Sequence, residues 1–187
     1  MKLGKIFIIS GPSGVGKTTI RRRVLEKMNE LVFSISYTTR IKRKGEVEGK
    51  DYFYISEEEF KKKIDSGFFA EWAKVHNHYY GTSKEFLNNC IQEGKSCLLD
   101  IDVQGCIQVK KSFPDAVSFF ILPPDFDALI KRLKKRNTET EEDFQMRINN
   151  AKKELEYKDQ YDYVIINDNI EHAVDKLLNL IKKLINE

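Results

Sequence analysis

Residues 11–18 have the types and spacing of a segment that binds nucleotide phosphates. They fit the pattern GxxxxGK[ST] and lie between an apolar run at 6–9 and a segment with helical spacing. Glycines let successive backbone N–H groups turn inward, and the helix start adds the positive end of its dipole. The predicted nucleoside triphosphate site comprises Gly11, Pro12, Ser13, Gly14, Val15, Gly16, Lys17 and Thr18.

Two side chains of this segment could bind the phosphates and their metal ion directly. Lys17 is placed to reach the β- and γ-phosphates, and the Thr18 hydroxyl is placed to bind Mg²⁺. A glycine-rich turn without a ligand is the alternative, but it would have no need of Lys17 and Thr18 at these offsets. We therefore expect Mg²⁺ to bind together with the triphosphate.

Two carboxylates follow the apolar run at 97–99, and they are candidates for the acidic part of this site. Asp100 and Asp102 are two residues apart, which on a strand would place them on the same face. Asp100 is the better candidate for the metal, directly or through water. The alternative is a strand end with solvated carboxylates.

A basic segment at 38–52 could hold a second phosphate group. It contains Arg40 and Arg43, whose guanidinium groups can make bidentate bonds to phosphate, and Tyr52, whose hydroxyl can donate another. A solvated basic hairpin is the alternative. A second charged stretch, from 123 to about 161, has helical propensity and contains three arginines, namely Arg132, Arg136 and Arg147.

The elements that would position these residues alternate between strands and helices. Near-continuous apolar runs of strand length, typical of strands buried on both faces, lie at 6–9, 97–101, 117–122 and 163–166. Segments with helical spacing separate them, including an apolar stripe from Val174 to Ile185. This alternation predicts an α/β fold with a parallel sheet covered by helices.

Two capping boxes predict helix starts within and after the basic insertion. Ser56-x-x-Glu59 precedes a helix that Gly67 would end, and Thr82-x-x-Glu85 precedes one that Gly94 would end. In the first helix each of three consecutive glutamates is followed by a lysine four residues later, a spacing that favours ion pairs.

Composition predicts one globular domain. The chain has 187 residues, 41% of them apolar and 33% charged, with 32 Lys plus Arg against 29 Asp plus Glu. A net charge of +3 gives little support to a nucleic-acid partner. No membrane span or export signal is found, and the three cysteines are typical of reduced thiols, so we expect a cytoplasmic protein. The sequence leaves open whether it is a monomer or a homodimer.

Several of these segments together, in order, resemble the guanylate kinase family. The phosphate loop, the Thr38-Thr39-Arg40 to Tyr52 segment, Glu71-Trp72, 79–82, 99–105 and 165–168 have the types and order found in that family. The resemblance runs from about residue 5 to the final helix. It implies phosphorylation of GMP, and of dGMP, by ATP with Mg²⁺ as cofactor, and it makes GMP and ATP the expected partners.

The resemblance also implies roles for individual residues. Residues for the GMP α-phosphate are Arg40, Arg43, Tyr52 and Tyr80, and residues that face guanine are Ser36, Glu71, Thr82 and Asp102. Catalytic positive charge would come from Lys17, Arg132, Arg136 and Arg147. Asn167 corresponds to a residue near the adenine of ATP. Lys42 and Lys44 depart from the family, which often has proline or a small residue there, so this loop is expected to be less stiff.

The implied fold is a three-layer P-loop NTPase core with a mixed α/β GMP-binding subdomain and a helical lid. The expected boundaries are 3–33, 83–122 and 162–187 for the core, 34–82 for the GMP-binding subdomain and 123–161 for the lid. Two other functions stay open at this point. One is a P-loop kinase acting on a sugar phosphate, and the other is a non-catalytic module that binds phosphopeptides.

Overall fold

The computed structural model describes residues 2–75, 77–134 and 141–187, with all of their side chains except that of Asp143. Within these residues it has nine strands and seven helices, which confirms the predicted α/β class. The strands are β1 (Ile6–Ser10), β2 (Leu31–Phe33), β3 (Tyr37–Thr38), β4 (Phe53–Tyr54), β5 (Phe69–Val75), β6 (His78–Ser83), β7 (Ser96–Asp100), β8 (Val117–Leu122) and β9 (Tyr163–Ile166). The helices are α1 (Lys17–Lys27), α2 (Glu57–Asp65), α3 (Lys84–Gln92), α4 (Val103–Ser112), α5 (Phe126–Lys134), α6 (Glu141–Leu155) and α7 (Ile170–Asn186), with a 3₁₀ turn at Lys158–Gln160.

A parallel five-stranded sheet has the strand order β2-β7-β1-β8-β9. All five residues of β1 are buried, and four consecutive residues of β8 are buried, as the near-continuous apolar runs predict. Four of these strands coincide with the predicted apolar runs, and β2 was not predicted. That strand has only three residues, too few to show a periodic pattern.

The second sheet is mixed and has the strand order β4-β3-β6-β5. Strand β3 pairs in parallel with β4 and antiparallel with β6, and β5 pairs antiparallel with β6. Aromatic rings cover the sheet, with Phe60 of α2 stacked on Phe69 at 4.4 Å between ring centroids. Gly81 of β6 lies under these rings, because a Cβ there would come within 2.8 Å of Phe69 Cδ1. These aromatics therefore form a hydrophobic core against the sheet, as expected because each aromatic side chain buries a large apolar area.

The first predicted helix start is confirmed. The Ser56 hydroxyl accepts a hydrogen bond from the Glu59 amide, and Gly67 follows the helix with a φ of 68°. Two of the expected ion pairs form along α2, Lys61 to Glu57 at 2.7 Å and Lys62 to Glu58 at 2.8 Å.

The second predicted capping box is wrong by one residue. Thr82 is still part of β6, and its hydroxyl donates to the Glu71 carboxylate. Ser83 is the N-cap of α3 instead, accepting from the Phe86 amide. The predicted end of this helix is confirmed, since Gly94 follows it with a φ of 71°.

The chain divides into two compact units. The first consists of Met1–Ile6, Leu31–Leu99 and Gln104–Ala116, and it contains the mixed sheet. The second consists of Phe7–Glu30, Asp100–Val103 and Val117–Glu187, and it contains the phosphate loop and helices α5 to α7. The three-part division expected from the sequence stays a prediction. In the described ranges no helix is both long enough and apolar enough to cross a membrane.

Helix α7 packs against α1 in the second unit. Its apolar stripe is buried as predicted, at Ala173, Val174, Leu177, Leu178 and Ile181. Asn169 begins the helix, and its side-chain oxygen accepts hydrogen bonds from the Glu171 amide at 2.9 Å and the His172 amide at 3.4 Å. The cap satisfies two N–H groups that the helix itself cannot pair.

We predict that Asn169→Ala lowers the free energy of unfolding by about 1 kcal/mol, because two helix amides lose their acceptor. Asn88→Ala is the matched control. Asn88 is exposed in the interior of α3, where alanine has the higher helix propensity, so this variant should be neutral or slightly more stable. Urea unfolding of both variants measures the difference. Equal effects of the two substitutions would contradict the role of the cap.

Candidate functional site

The predicted phosphate loop connects the end of β1 to the start of α1. Its glycines adopt backbone conformations that other residues rarely take, with φ of 145° at Gly11, 84° at Gly14 and 104° at Gly16. At Gly11 a Cβ would lie 2.4 Å from the Ile121 carbonyl oxygen, so no side chain fits. Gly16 caps α1 without a side-chain hydrogen bond, which leaves the positive helix end to an anion.

Side chains from later in the chain hold this loop in place. Asn167 is buried, and its Nδ2 donates to the Val15 carbonyl at 2.7 Å while its backbone N–H donates to the Leu122 carbonyl at 2.7 Å. A Cβ on Gly16 would come within 2.6 Å of Asn167 Nδ2. Asn167 therefore supports the loop backbone, and its predicted place near adenine stays a prediction.

Positive side chains surround the loop. The Lys17 ammonium donates to the carbonyls of Gly11 and Pro12. Arg132 of α5 donates to the Val15 carbonyl at 3.3 Å and to the Asn167 carbonyl at 3.1 Å.

Arg147 of α6 is the second described arginine at the loop. It is 7% exposed and donates to the Ser13 hydroxyl at 3.0 Å. Two of the three arginines predicted to be catalytic thus contact the loop directly, and Arg136 lies outside the described residues.

The predicted acidic residues lie at the end of β7. Asp100 is its last residue, and one carboxylate oxygen is 3.8 Å from Arg21 Nη1. Burial raises the pKa of Asp100, while the charges of Lys17 and Arg21 lower it in part. The strand ends at Asp100, so Asp102 belongs to the loop before α4. The expectation that both share one strand face was therefore wrong.

Glu154 of α6 is a further carboxylate near these groups, and its sequence context predicts no role for it. Burial raises the pKa of its side chain, the charge of Lys17 lowers it, Asp102 raises it, and a hydrogen bond from the Ser13 amide lowers it. Glu154 follows Arg147 by seven residues, which places the two on one face of α6. That spacing was the only signal in the sequence, and it is too common to identify a site.

The oxygen donors of the second unit fit a magnesium ion whose other ligands are phosphate oxygens and water. The second unit offers the exposed Thr18 side chain and the Asp100 carboxylate, both oxygen donors. Within the described residues no group of three or more His, Cys, Asp or Glu could hold a metal. Mg²⁺ typically takes one or two protein ligands and completes its shell with phosphate oxygens and water.

In the first unit the predicted phosphate clamp is organised by a residue to which we assigned no role from the sequence, Glu46. Its carboxylate accepts from Arg40 Nη2 at 2.7 Å and Nη1 at 3.1 Å, a bidentate pair. It also accepts from the Arg43 amide at 2.8 Å and from the Tyr54 hydroxyl at 2.7 Å. One carboxylate thus fixes one clamp arginine by its side chain and the other by its backbone.

The pKa values of this cluster follow from these bonds. The hydrogen bond from Arg40 lowers the pKa of Glu46 to about 2, against burial and with help from the Arg43 amide and Tyr54. Burial would lower the pKa of Arg40, but hydrogen bonds to Glu46 and Tyr80 outweigh it and raise it. Both groups therefore stay charged at any physiological pH.

Two tyrosines predicted to hold the same phosphate lie beside Arg40. The centre of its guanidinium group is 5.4 Å from the centroid of the Tyr52 ring, within the range of a cation–π contact. The ring centroids of Tyr52 and Tyr80 are 5.9 Å apart. The structure thus brings Arg40, Tyr52 and Tyr80 together, and Arg43 joins them through Glu46 with its own side chain exposed.

The residues predicted to face guanine include a buried pair on β5 and β6. Glu71 is 3% exposed, Thr82 is fully buried, and the Thr82 hydroxyl donates to Glu71 Oε1 at 2.6 Å. Ser36 is buried in the same unit, between β2 and β3. Asp102 belongs to the second unit.

A family model and known proteins with similar sequences identify one family. The family model described as guanylate kinase matches residues 3–184. A guanylate kinase of Thermotoga maritima is 48% identical over 179 residues, which are 96% of this chain and 86% of that protein. One of Caldanaerobacter subterraneus subsp. tengcongensis is 51% identical over 180 residues, covering 96% of this chain and 87% of that protein.

Among solved structures, the crystal structure of guanylate kinase from Anaplasma phagocytophilum is similar over 100% of this chain and 88% of its own, with a TM-score of 0.84 and 34% identity. The resemblance inferred from the motifs is therefore confirmed along nearly the whole chain, and the chain belongs to the guanylate kinase family.

Proposed function

We propose that this protein transfers the γ-phosphoryl group of ATP to GMP, producing ADP and GDP, and that dGMP is also a substrate. The observation that carries the proposal is the buried Glu71–Thr82 pair, which lies in the same unit as a phosphate clamp built on Arg40. Neither a sugar phosphate nor a phosphopeptide gives a reason for a buried carboxylate of this kind.

Guanine matches Glu71 in its hydrogen-bonding groups. Its N1–H and 2-amino group are adjacent donors, and a carboxylate accepts from both. Adenine has an acceptor at N1 and no 2-amino group, so a buried carboxylate facing it would lose its partners. Unpaired buried polar groups can reject a wrong substrate by about 10⁴-fold, far more than shape alone. The Thr82 hydroxyl bonds one carboxylate oxygen and so fixes the orientation of the group.

The second unit has the groups that phosphoryl transfer needs. The transition state carries negative charge on the oxygens of the moving phosphoryl group, so catalysis depends on positioning and on positive charge. We assign that charge to Lys17, Arg132 and Arg147, all of which contact the phosphate loop, and to Arg136. Bound Mg²⁺, held by Thr18 and Asp100, would neutralise phosphate charge. No general base is required, because the phosphate of GMP is already an anionic nucleophile.

A coupled assay of ADP release tests the proposed function. The protein is incubated with ATP and each of GMP, dGMP, IMP, AMP and ribose 1,5-bisphosphate, with and without Mg²⁺. We expect turnover with GMP and dGMP, weak turnover with IMP, far less with AMP, and none without the metal. Comparable rates with GMP and AMP would contradict the proposed recognition of guanine. Turnover of ribose 1,5-bisphosphate alone would show that the protein is a sugar-phosphate kinase.

We predict that Lys17→Ala lowers kcat by about 10³-fold or more, because the β- and γ-phosphates lose their direct cation. Lys131→Ala is the matched control, since Lys131 is an exposed lysine of α5. It should retain the activity of the unaltered protein. A Lys17→Ala protein that is folded and loses less than tenfold in kcat would contradict the assignment.

We predict that Glu71→Gln reduces the preference for GMP over AMP by about 10²-fold or more, because an amide presents a donor where guanine also has donors. The loss should appear in kcat/KM for GMP, with AMP turnover as the internal control. An equal loss for both nucleotides would mean that Glu71 supports the fold and does not read the base.

We predict that Glu46→Gln lowers the free energy of unfolding at pH 7 by on the order of 2 kcal/mol, because Arg40 keeps its burial and loses its charged partner. The pKa of Glu46 is lowered in the folded protein to about 2, so its contribution is complete above the ordinary carboxyl value and is lost as the pH falls towards 2. The difference between the two proteins should therefore shrink from about pH 4.5 downward.

Urea unfolding at several pH values measures this difference. Glu58→Gln is the control, because Glu58 is an exposed carboxylate on α2. A gap between Glu46→Gln and the unaltered protein that stays constant from pH 7 to pH 2.5 would contradict the role of the Glu46 charge.

A further inference from the structure

Strand β5, which carries Glu71, is an edge strand of the mixed sheet. It pairs with β6 on one side, and among the residues that the structure describes no further strand pairs with its other side. In an antiparallel strand the N–H and C=O groups of one residue point to the same side, and successive residues alternate. Every second residue of β5 therefore directs two backbone groups away from β6.

The pairing of β5 with β6 shifts register next to Glu71. Phe69 pairs with Ser83 and Glu71 pairs with Thr82, so Ala70 is an extra residue in the strand. A bulge of this kind disrupts the ladder, bends the strand and redirects the side chains that follow it. Glu71 is thus placed by a local irregularity, and the regular ladder restrains it on one side only.

A side chain from α4 takes the place of a neighbouring strand at this point. The Trp72 amide donates to Gln108 Oε1 at 3.1 Å, and Gln108 Nε2 donates to the Trp72 carbonyl at 2.9 Å. A primary amide has one donor and one acceptor side by side, so it matches the two outward groups of one strand residue. Gln108 and β5 both lie in the first unit.

We infer that Gln108 is a positioning residue for guanine recognition, which holds Glu71 in place through the backbone of Trp72. The bond between Thr82 and Glu71 fixes the carboxylate from β6, and the two bonds of Gln108 fix the backbone N–H and C=O of the next residue, Trp72. This inference rests on the proposed reading of guanine by Glu71.

The effect of Gln108 is expected in selectivity more than in stability. Its bonds to Trp72 are exposed to solvent, where water can replace them if they are lost. A carboxylate that must meet two donors of a base has a narrow geometric tolerance, and a shift of 1 Å can cost about 10²-fold in rate. A partial loosening of β5 should therefore cost about tenfold in discrimination.

IMP is the sharpest probe of this geometry, because it lacks only the 2-amino group of GMP. We expect Gln108→Leu to lower the ratio of kcat/KM for GMP over IMP about tenfold, with the loss in KM for GMP and no change in KM for ATP. Gln108→Glu keeps the size and polarity of the side chain but cannot donate to the Trp72 carbonyl, so it should lose selectivity as well. Gln92→Leu, an exposed glutamine of α3, is the matched control and should retain the ratio.

The single tryptophan of the chain gives a readout that does not depend on turnover. If Gln108 restrains the peptide of Trp72, the fluorescence anisotropy of Trp72 should fall in Gln108→Leu and stay the same in Gln92→Leu. In a Glu71→Gln background, Gln108→Leu should cause no further loss of the GMP to IMP ratio, because the two residues act on one interaction.

The outcomes separate this inference from the proposed function. If Glu71→Gln loses selectivity while Gln108→Leu keeps the ratio within twofold, the reading of guanine stands and the positioning role is wrong. Equal losses for GMP, IMP and AMP in Gln108→Leu, or an unchanged anisotropy of Trp72, would also overturn it. If Glu71→Gln keeps the ratio, Glu71 does not read guanine, and the role of Gln108 fails with it.

Discussion

Positive side chains that are predicted to bind phosphate need partners within the protein, and much of this structure follows from that constraint. A buried guanidinium or ammonium group is costly unless a charge or hydrogen bond compensates it. In the first unit the Glu46 carboxylate compensates Arg40 with two bonds, and the hydrogen bond from Arg40 lowers the pKa of Glu46 to about 2. In the second unit Lys17 lies near two carboxylates, Asp100 and Glu154, whose pKa values it lowers against burial. The predicted phosphate clamp is thus organised by a carboxylate, whereas the Lys17 ammonium is held by the carbonyls of the predicted phosphate loop.

The backbone of the predicted phosphate loop is also held by partners from elsewhere in the second unit. In the phosphate loop glycines at positive φ allow close approach of the chain, and the Val15 carbonyl is held by Asn167 and Arg132 together. The loop is therefore fixed from outside by side chains from β9's end and from α5, since its own residues are mostly too small to hold it. Backbone N–H groups in a loop that is held in place need no rearrangement when negative charge develops in the transition state. Such preorganisation is the basis of electrostatic catalysis.

The sequence was sufficient for the residues whose role depends on local spacing. The phosphate loop, the strands at 117–122 and 163–166, the Ser56 cap and the apolar stripe of α7 all follow patterns within a few consecutive residues. The family resemblance extended this to Glu71 and Thr82, which the structure brings within hydrogen-bonding distance although they are eleven residues apart. The predicted Thr82 cap is wrong because of the same bond, since the Thr82 hydroxyl donates to Glu71 from within β6.

Residues that act on other functional residues could not be identified in this way. Glu46, Glu154 and Gln108 belong to ordinary surface residue types, and only the folded chain shows which backbone or side-chain group each one meets. Their importance follows from geometry, because a carboxylate or guanidinium group in the right place still binds poorly if it can move. Strand β5 shows this need for restraint most clearly. The bulge next to Glu71 also weakens the ladder around it, so the strand that we propose recognises guanine needs support from outside the sheet. In the proposed function, selectivity for guanine depends on the Glu71–Thr82 pair and on the restraint of its backbone by Gln108. That restraint can change without altering any residue that is proposed to contact the nucleotide.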